Sequence, residues 1–304
     1  MSKKGFKRWL SADKVIVGII AVLIVIGTVA FVRDIKVYDY TVETNAFFAP
    51  FEFYDNREIV GVDVEIINRV ANKLNATIDI KNVEFDMIID NVASGVIADA
   101  GAAGLTITPA REEKVNFSIP YYTSVQYVVF NPNNPPEIKV GDVLEAKDSD
   151  TVLSGKEYVT WNALAGRTIG SQMGGTGYLF ASEEAKDGVL KDTGAAVKGL
   201  ESHQLAADAI GSHIIDFAIA DQLAAQFIVE KNPELRALPL YYTGEKGDYP
   251  AEESYAIAVN KQRPELLAAF NEVLTEMLTP DANGQTEMDR LIIKYMGIKE
   301  EANG

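Results

Sequence analysis

Arg111 is the residue of this chain best placed to do chemistry, because it stands in the segment Gly104-Leu-Thr-Ile-Thr-Pro-Ala-Arg111, directly after a run of small residues from Ala98 to Ala103. Such a run reads as a buried strand end where something approaches the backbone closely. Thr108 is a natural N-cap and Pro109 suits the first helical position, so Arg111 falls in the first turn of a short helix. A guanidinium there, beside the Thr106 hydroxyl and the Gly104 backbone, is suited to grip a small carboxylate bidentately. A second anion site is suggested by Gly174-Gly175-Thr176-Gly177, a turn that opens a helix whose first amides are free. No lysine follows in the phosphate-loop pattern, so carboxylate is the better ligand for it than phosphate. Asp221, between a strand ending at Ala220 and a helix, reads most simply as an N-cap, or as a carboxylate facing a cleft to take an ammonium group; one oxygen can do each. Phe48 and Phe51, flanking Pro50, either cover a core edge or offer a flat face to a ligand side chain.

Other chemistry finds little support. His203 and His213 lie ten apart, not at one-turn spacing, which favours packing or surface roles over a zinc pair. There is no Gly-x-Ser-x-Gly, no His-Glu-x-x-His and no cysteine, so the usual nucleophile signatures and disulfides are absent. The pairs Glu112-Glu113, Glu183-Glu184 and Glu252-Glu253 read as solvated faces.

These residues must be carried by alternating strands and helices. A strand is expected from Tyr40 to Thr44, then a helix with Val62, Ile66, Ile67, Val70 and Leu74 at helical spacing and Asn75 as its C-cap. A strand at Ile78 and Ile80 and a helix from Asp86 to Ala93 lead to Thr106. A second unit runs through a strand at Arg167 to Gln172, the glycine turn, helices, and a strand at Asp216 to Ala220. The chain returns by a strand from Ser254 to Asn260, and two helices finish it, one from Pro264 and one ending near Gly297. Helices between strands imply parallel sheets. Residues 131–160, rich in Pro and Asn and then in charge, read as a surface insertion after a domain crossing.

The ends differ from the body. Lys3, Lys4, Lys7, Arg8 and Lys14 precede an apolar run from Val15 to Val32, which predicts a signal anchor, favoured over a cleaved signal peptide, with residues 37 onward outside the cytoplasm. Of the net charge of −16, residues 1–36 contribute seven basic and two acidic side chains, leaving the remainder near −21. So acidic a surface disfavours nucleic acid and anionic lipid as partners. The apolar share of 47% fits a globular chain large enough for two lobes.

Taken in order, Phe48-Ala-Pro-Phe51, Gly61-Val-Asp63-Val-Glu-Ile66, Thr106-Ile-Thr-Pro-Ala-Arg111, Val115-Asn-Phe-Ser-Ile-Pro-Tyr-Tyr122, Gly174-Gly-Thr176 and Ile215-Asp-Phe-Ala-Ile-Ala-Asp221 resemble polar amino-acid solute-binding proteins of ABC importers, from about Tyr40 to Gly297. The resemblance implies the two-lobed α/β type II periplasmic-binding-protein fold, with the ligand cleft between lobe 1 (37–130 and 249–304) and lobe 2 (131–248). It implies that Arg111 holds a ligand α-carboxylate, with the amides of Thr106 and Thr176 and the Gly175 turn beside it. Asp221 would take the α-ammonium with the Gly104 carbonyl and the Thr106 hydroxyl, while Phe48 and Phe85 flank the ligand side chain. Asn45 stands where many relatives have an aspartate, which points to a neutral polar or acidic amino acid unless Glu43, Glu52 or Glu84 faces inward. No cofactor, metal or catalytic residue is implied. The expected partner is an ABC permease, and the expected state a monomer tethered at the extracytoplasmic face of the membrane by its N-terminal helix. A dehydratase on the same scaffold is an alternative that Asn45 argues against, and a ligand-sensing ectodomain would need a signalling segment that is not evident.

Overall fold

A computed structural model of the protein describes residues 37–133, 144–145, 157–245 and 247–297. The expected membrane segment and most of the expected insertion lie outside the described residues; among those described, no helix is long and apolar enough to cross a membrane.

The strand Tyr40–Thr44 pairs in parallel with Ile78–Asn82, in register Tyr40 to Ile78, and with Ala100–Gly101. Ala258–Val259 joins this five-stranded sheet antiparallel to Ala100–Gly101, and Asn116–Phe117 at the edge pairs antiparallel with Ala258–Val259, so that it runs with the first three strands. The helix Val62–Leu74 buries Val62, Ile66, Ile67 and Val70 and stops at Asn75, which takes the left-handed conformation. It packs with the helix Pro264–Met277, whose inner face is Leu266, Phe270, Val273 and Leu274. A helix lacking such a stripe would have nothing to bury here.

The larger sheet runs in the order Ala196–Leu200, Thr168–Gln172, Phe217–Asp221, Tyr122–Phe130, Arg236–Gly244, Glu157–Thr160 and Leu144–Glu145. Its first three strands are parallel, and Tyr122–Phe130 is antiparallel to Phe217–Asp221. Ile169, Phe217, Leu240, Trp161 and Leu164 form one apolar layer of its core.

Two expectations change. Both sheets are mixed: Ala258–Val259 runs antiparallel to its neighbours in the small sheet, and the long strand Tyr122–Phe130 pairs antiparallel with Phe217–Asp221 and Arg236–Gly244 in the large one. The expected return strand from Ser254 to Asn260 is two strands: Glu252–Tyr255 pairs with Tyr122–Phe130 in the large sheet, and Ala258–Val259 joins the small one. Sheet pairing therefore puts the first crossing before Tyr122 rather than after Phe130, and the second between Tyr255 and Ala258. The two crossing segments run side by side, with Tyr121 N–H donating to the Tyr255 carbonyl and Ser118 N–H to that of Ile257.

Candidate functional site

Thr108 caps the helix Pro109–Glu112 as expected, its side chain accepting from the Arg111 amide. That turn directs Arg111 inward, where it is only 7% exposed. Its Nη1 donates to the Thr106 carbonyl and its Nη2 to the Gly174 carbonyl, each at 2.8 Å, so it reaches from the small-sheet side to the glycine turn of the large sheet. A guanidinium has five donors, and three remain. Burial lowers its pKa while Glu253 and Asp221 push the other way; an arginine stays charged in either case.

Gly104 takes a φ of 55°, and a Cβ there would stand 2.4 Å from Cε1 of Phe48. Only glycine fits both demands. Its amide donates to Oδ2 of Asp63, whose other oxygen accepts the Tyr121 hydroxyl at 2.7 Å. Burial raises the Asp63 pKa to about 6 against those hydrogen bonds. Across the cleft the helix Thr176–Lys186 begins at Gly175 with no side-chain cap, which leaves its first-turn amides and positive dipole end for an anion.

Asp221 ends the strand Phe217–Asp221 and sits at the N-cap position of the helix Gln222–Lys231, yet its side chain makes no cap hydrogen bond. Its Oδ1 instead accepts from Nε2 of Gln126 at 2.5 Å. Burial and then the nearby Glu253 carboxylate raise its pKa well above the usual range. Glu253 overturns the reading of Glu252-Glu253 as a solvated pair. Strand alternation leaves Glu252 exposed and turns Glu253 inward, where it is 4% exposed. Its Oε2 accepts the hydroxyls of Thr106 and Thr176, each at 2.5 Å, and its Oε1 accepts Nε2 of Gln126. Two adjacent glutamates carry no signal of this; only the pairing of Glu253 with Ser124 across the crossing strands places it.

His203 is buried, not a surface residue, with its ring 5.5 Å from that of Phe48 and its Nε2 3.9 Å from Oδ2 of Asp221. Burial lowers its pKa to about 4, so it is neutral near pH 7 and makes no ion pair there. His213 is exposed.

The cleft opens to solvent and is lined by Phe48, Phe85, Gly104, Thr106, Gly175, Thr176 and Asp221 among the expected residues, and also by Gln126, Ser171, Gln172 and His203, with Arg111 beside this lining rather than in it. Phe85 starts a single 3-10 turn, and its ring centroid lies 5.8 Å from the Arg111 guanidinium carbon. Phe51 stacks behind Phe48 rather than facing the cleft. Asn45 is not brought to the lining. Its Nδ2 donates to the Val83 carbonyl and its Oδ1 accepts Nε2 of Gln172, so its amide joins the two sheets. Of the three possible substitutes, Glu43 is held by Asn91, Glu52 lies fully buried near Asp63, and Glu84 is exposed. Among the described residues no group of three or more His, Cys, Asp or Glu side chains could hold a metal ion. The arrangement can pair both charges of a zwitterion.

Residues 40–297 match the sequence model of the bacterial extracellular solute-binding proteins, family 3. The chain is 26% identical to the arginine-binding extracellular protein ArtP of Bacillus subtilis, over 80% of this chain and 81% of that one. It is 28% identical to a probable histidine-binding protein of Campylobacter jejuni, over 82% and 81%. Among solved structures, an ancestral arginine-binding protein bound to arginine superposes with a TM-score of 0.65 at 29% identity, covering 85% of this chain and 98% of that one.

Proposed function

The chain belongs to the bacterial extracellular solute-binding proteins, family 3, a family of receptors rather than enzymes, and from that premise we propose that it binds one amino acid between its lobes and delivers it to an ABC permease. The observation that carries the reading is one cleft lined by Asp221, the start of the Thr176 helix and the rings of Phe48 and Phe85, with Arg111 buried beside that lining and bonded to the Thr106 and Gly174 carbonyls. Arg111 takes the α-carboxylate and Asp221 the α-ammonium. Each buried charge needs its partner, since a buried ion that loses it costs about 3–5 kcal/mol. The groups come from both lobes, so ligand contacts that exist only with the lobes together favour the closed arrangement.

A basic amino acid is the ligand that fits best. The preference for a neutral or acidic one rested on Asn45, whose amide is occupied by Val83 and Gln172. A basic amino acid adds a cation to a cleft region in which two carboxyl groups, Asp221 and Glu253, stand near one guanidinium, Arg111. Phe48 and Phe85 supply faces on which such a cation can lie. The named relatives, arginine- and histidine-binding proteins, agree with this. A neutral polar side chain is the second reading, favoured by Ser171 and Gln172 in the lining. The apolar run of residues 15–32 would tether the receptor outside the cytoplasm.

The test is a thermal-shift screen against the twenty amino acids, with calorimetry on each hit. A ligand at a hundredfold excess over its dissociation constant adds about 2.7 kcal/mol of stability. Stabilisation by arginine, histidine or lysine is expected. A hit with glutamine or serine alone would select the second reading, and silence across the panel would remove the amino-acid reading.

A further inference from the structure

We infer that Glu253 is a positioning residue that fixes the hydrogen-bond polarity of the cleft, turning Thr106, Thr176 and Gln126 into acceptors for an ammonium group; this rests on the reading of the cleft as an amino-acid site. A hydroxyl carries one proton. Thr106 and Thr176 both give theirs to Oε2 of Glu253, so each offers the cleft only lone pairs. Their two oxygens lie 3.3 Å apart, an approach that a shared donor relieves. Gln126 is fixed in the same way. Nε2 faces both Asp221 and Glu253, which uses both amide protons, and the flipped amide would set its oxygen against two carboxylates. Its Oε1 is buried with no hydrogen-bond partner among the described residues. Gly177, also in the lining, leaves that oxygen approachable, since a Cβ there would stand 2.9 Å from it.

The wall beside the Asp221 carboxyl therefore presents two hydroxyl oxygens and an amide oxygen, all of them left only to accept. An ammonium group has three protons to give and nothing to accept. Glu253 does not itself line the cleft and acts through the three residues it holds. One hydroxyl comes from the loop before Arg111 and the other from the first residue of the Thr176 helix, so one carboxylate orients both sides of the cleft.

The experiment compares the full-length protein with Glu253→Gln by calorimetric titration. The probes are whichever of L-arginine, L-lysine, L-histidine, L-glutamine and L-serine the wild type binds most tightly, and the matching 2-hydroxy acid, in which a hydroxyl replaces the ammonium. A wild type that binds none of the twenty amino acids overturns both this inference and the reading beneath it. Given wild-type binding, Glu253→Gln is expected to lose about tenfold or more in affinity for the amino acid and less than about threefold for the hydroxy acid. Equal losses for both probes, or an unchanged preference, overturn the positioning role and leave the amino-acid reading standing. Should Glu253→Gln fail to fold, Thr176→Val decides: a loss confined to the amino acid supports the acceptor polarity, and an equal loss for both probes shows that the hydroxyl serves the carboxylate instead.

Discussion

The two ends of the cleft are built in opposite ways. The basic end is local: Thr108, Pro109 and Arg111 lie within one short helix and its cap, and a single glycine turn completes it from the other side. The acidic end is assembled from three separate strands, which bring Asp221 and Glu253, 95 and 127 residues further along the chain, to Gln126. At the basic end one cation meets two backbone carbonyls and keeps three donors beside the free amides of the Thr176 helix. At the acidic end two carboxyl groups crowd one amide, and their proximity is itself unfavourable. The difference teaches that a cleft can hold a zwitterion with donors left over at one end and crowded acceptors at the other.

Removing each end in turn separates them most sharply. Arg111→Ala is expected to weaken amino-acid binding by about 100-fold to 1000-fold or more by calorimetry, and to lower the melting temperature, because the two carboxylates lose their counter-charge. Arg111→Lys should recover only a part, since an ammonium cannot reproduce the planar fork. Asp221→Asn should weaken binding by about 100-fold yet leave the melting temperature of the protein without ligand unchanged or higher, since it removes the repulsion with Glu253. A fall in stability for Asp221→Asn equal to that for Arg111→Ala would erase the contrast.

Behind the acidic end, Asp63 and His203 respond to pH with opposite signs. The raised pKa of Asp63 means that the folded protein holds this proton more tightly than the unfolded chain, so its contribution is complete below the ordinary value of 3.8 and lost as pH rises through about 6. The depressed pKa of His203 makes its contribution complete above 6.5 and lost as pH falls through about 4. Each amounts to something on the order of 3 kcal/mol. The stability difference between wild type and His203→Gln, from denaturant melts, should grow in favour of wild type from pH 4 to 6.5. For Asp63→Asn the difference should move the other way from pH 4 to 6, and parallel curves in either series would contradict the assignment.

Gly104→Ala sets a methyl group against Phe48 and strains a positive φ, for an expected loss of about 1–3 kcal/mol. The same change at Gly194, which also has a positive φ but nothing near its Cβ, should cost about 1 kcal/mol. The smallest effect is expected at Asn45: Asn45→Ala breaks the contact with Gln172 and should change affinity by no more than about threefold, as a hydrogen bond of about 1 kcal/mol outside the cleft lining. A loss of a hundredfold would return Asn45 to the ligand.

What the sequence made legible follows the same division. Caps, helical stripes and the glycine turn are local signals, and Thr108, Asn75, the helix Val62–Leu74 and the helix start at Thr176 appear where they were expected. Gly104, Thr106, Gly175, Thr176, Phe48 and Asp221, which local signals singled out, line the cleft, as does Phe85, which only the resemblance pointed to. Gln126, Glu253 and His203 escaped, since nothing in a strand such as Tyr122–Phe130 or in a glutamate pair reveals which strand will lie beside it. Mixed sheet pairing was hidden for the same reason. Asn45 was expected to read the ligand because its position was known but its partner was not.

The most direct test titrates wild type, Arg111→Ala and Asp221→Asn with L-arginine, its decarboxylated analogue and its 2-hydroxy acid. Arg111→Ala should bind L-arginine and the decarboxylated analogue with similar weak affinity, having lost only its preference for a carboxylate, and Asp221→Asn should lose only its preference for an ammonium. An Arg111→Ala protein that still prefers L-arginine over the decarboxylated analogue by the wild-type margin would contradict the assignment of the two ends.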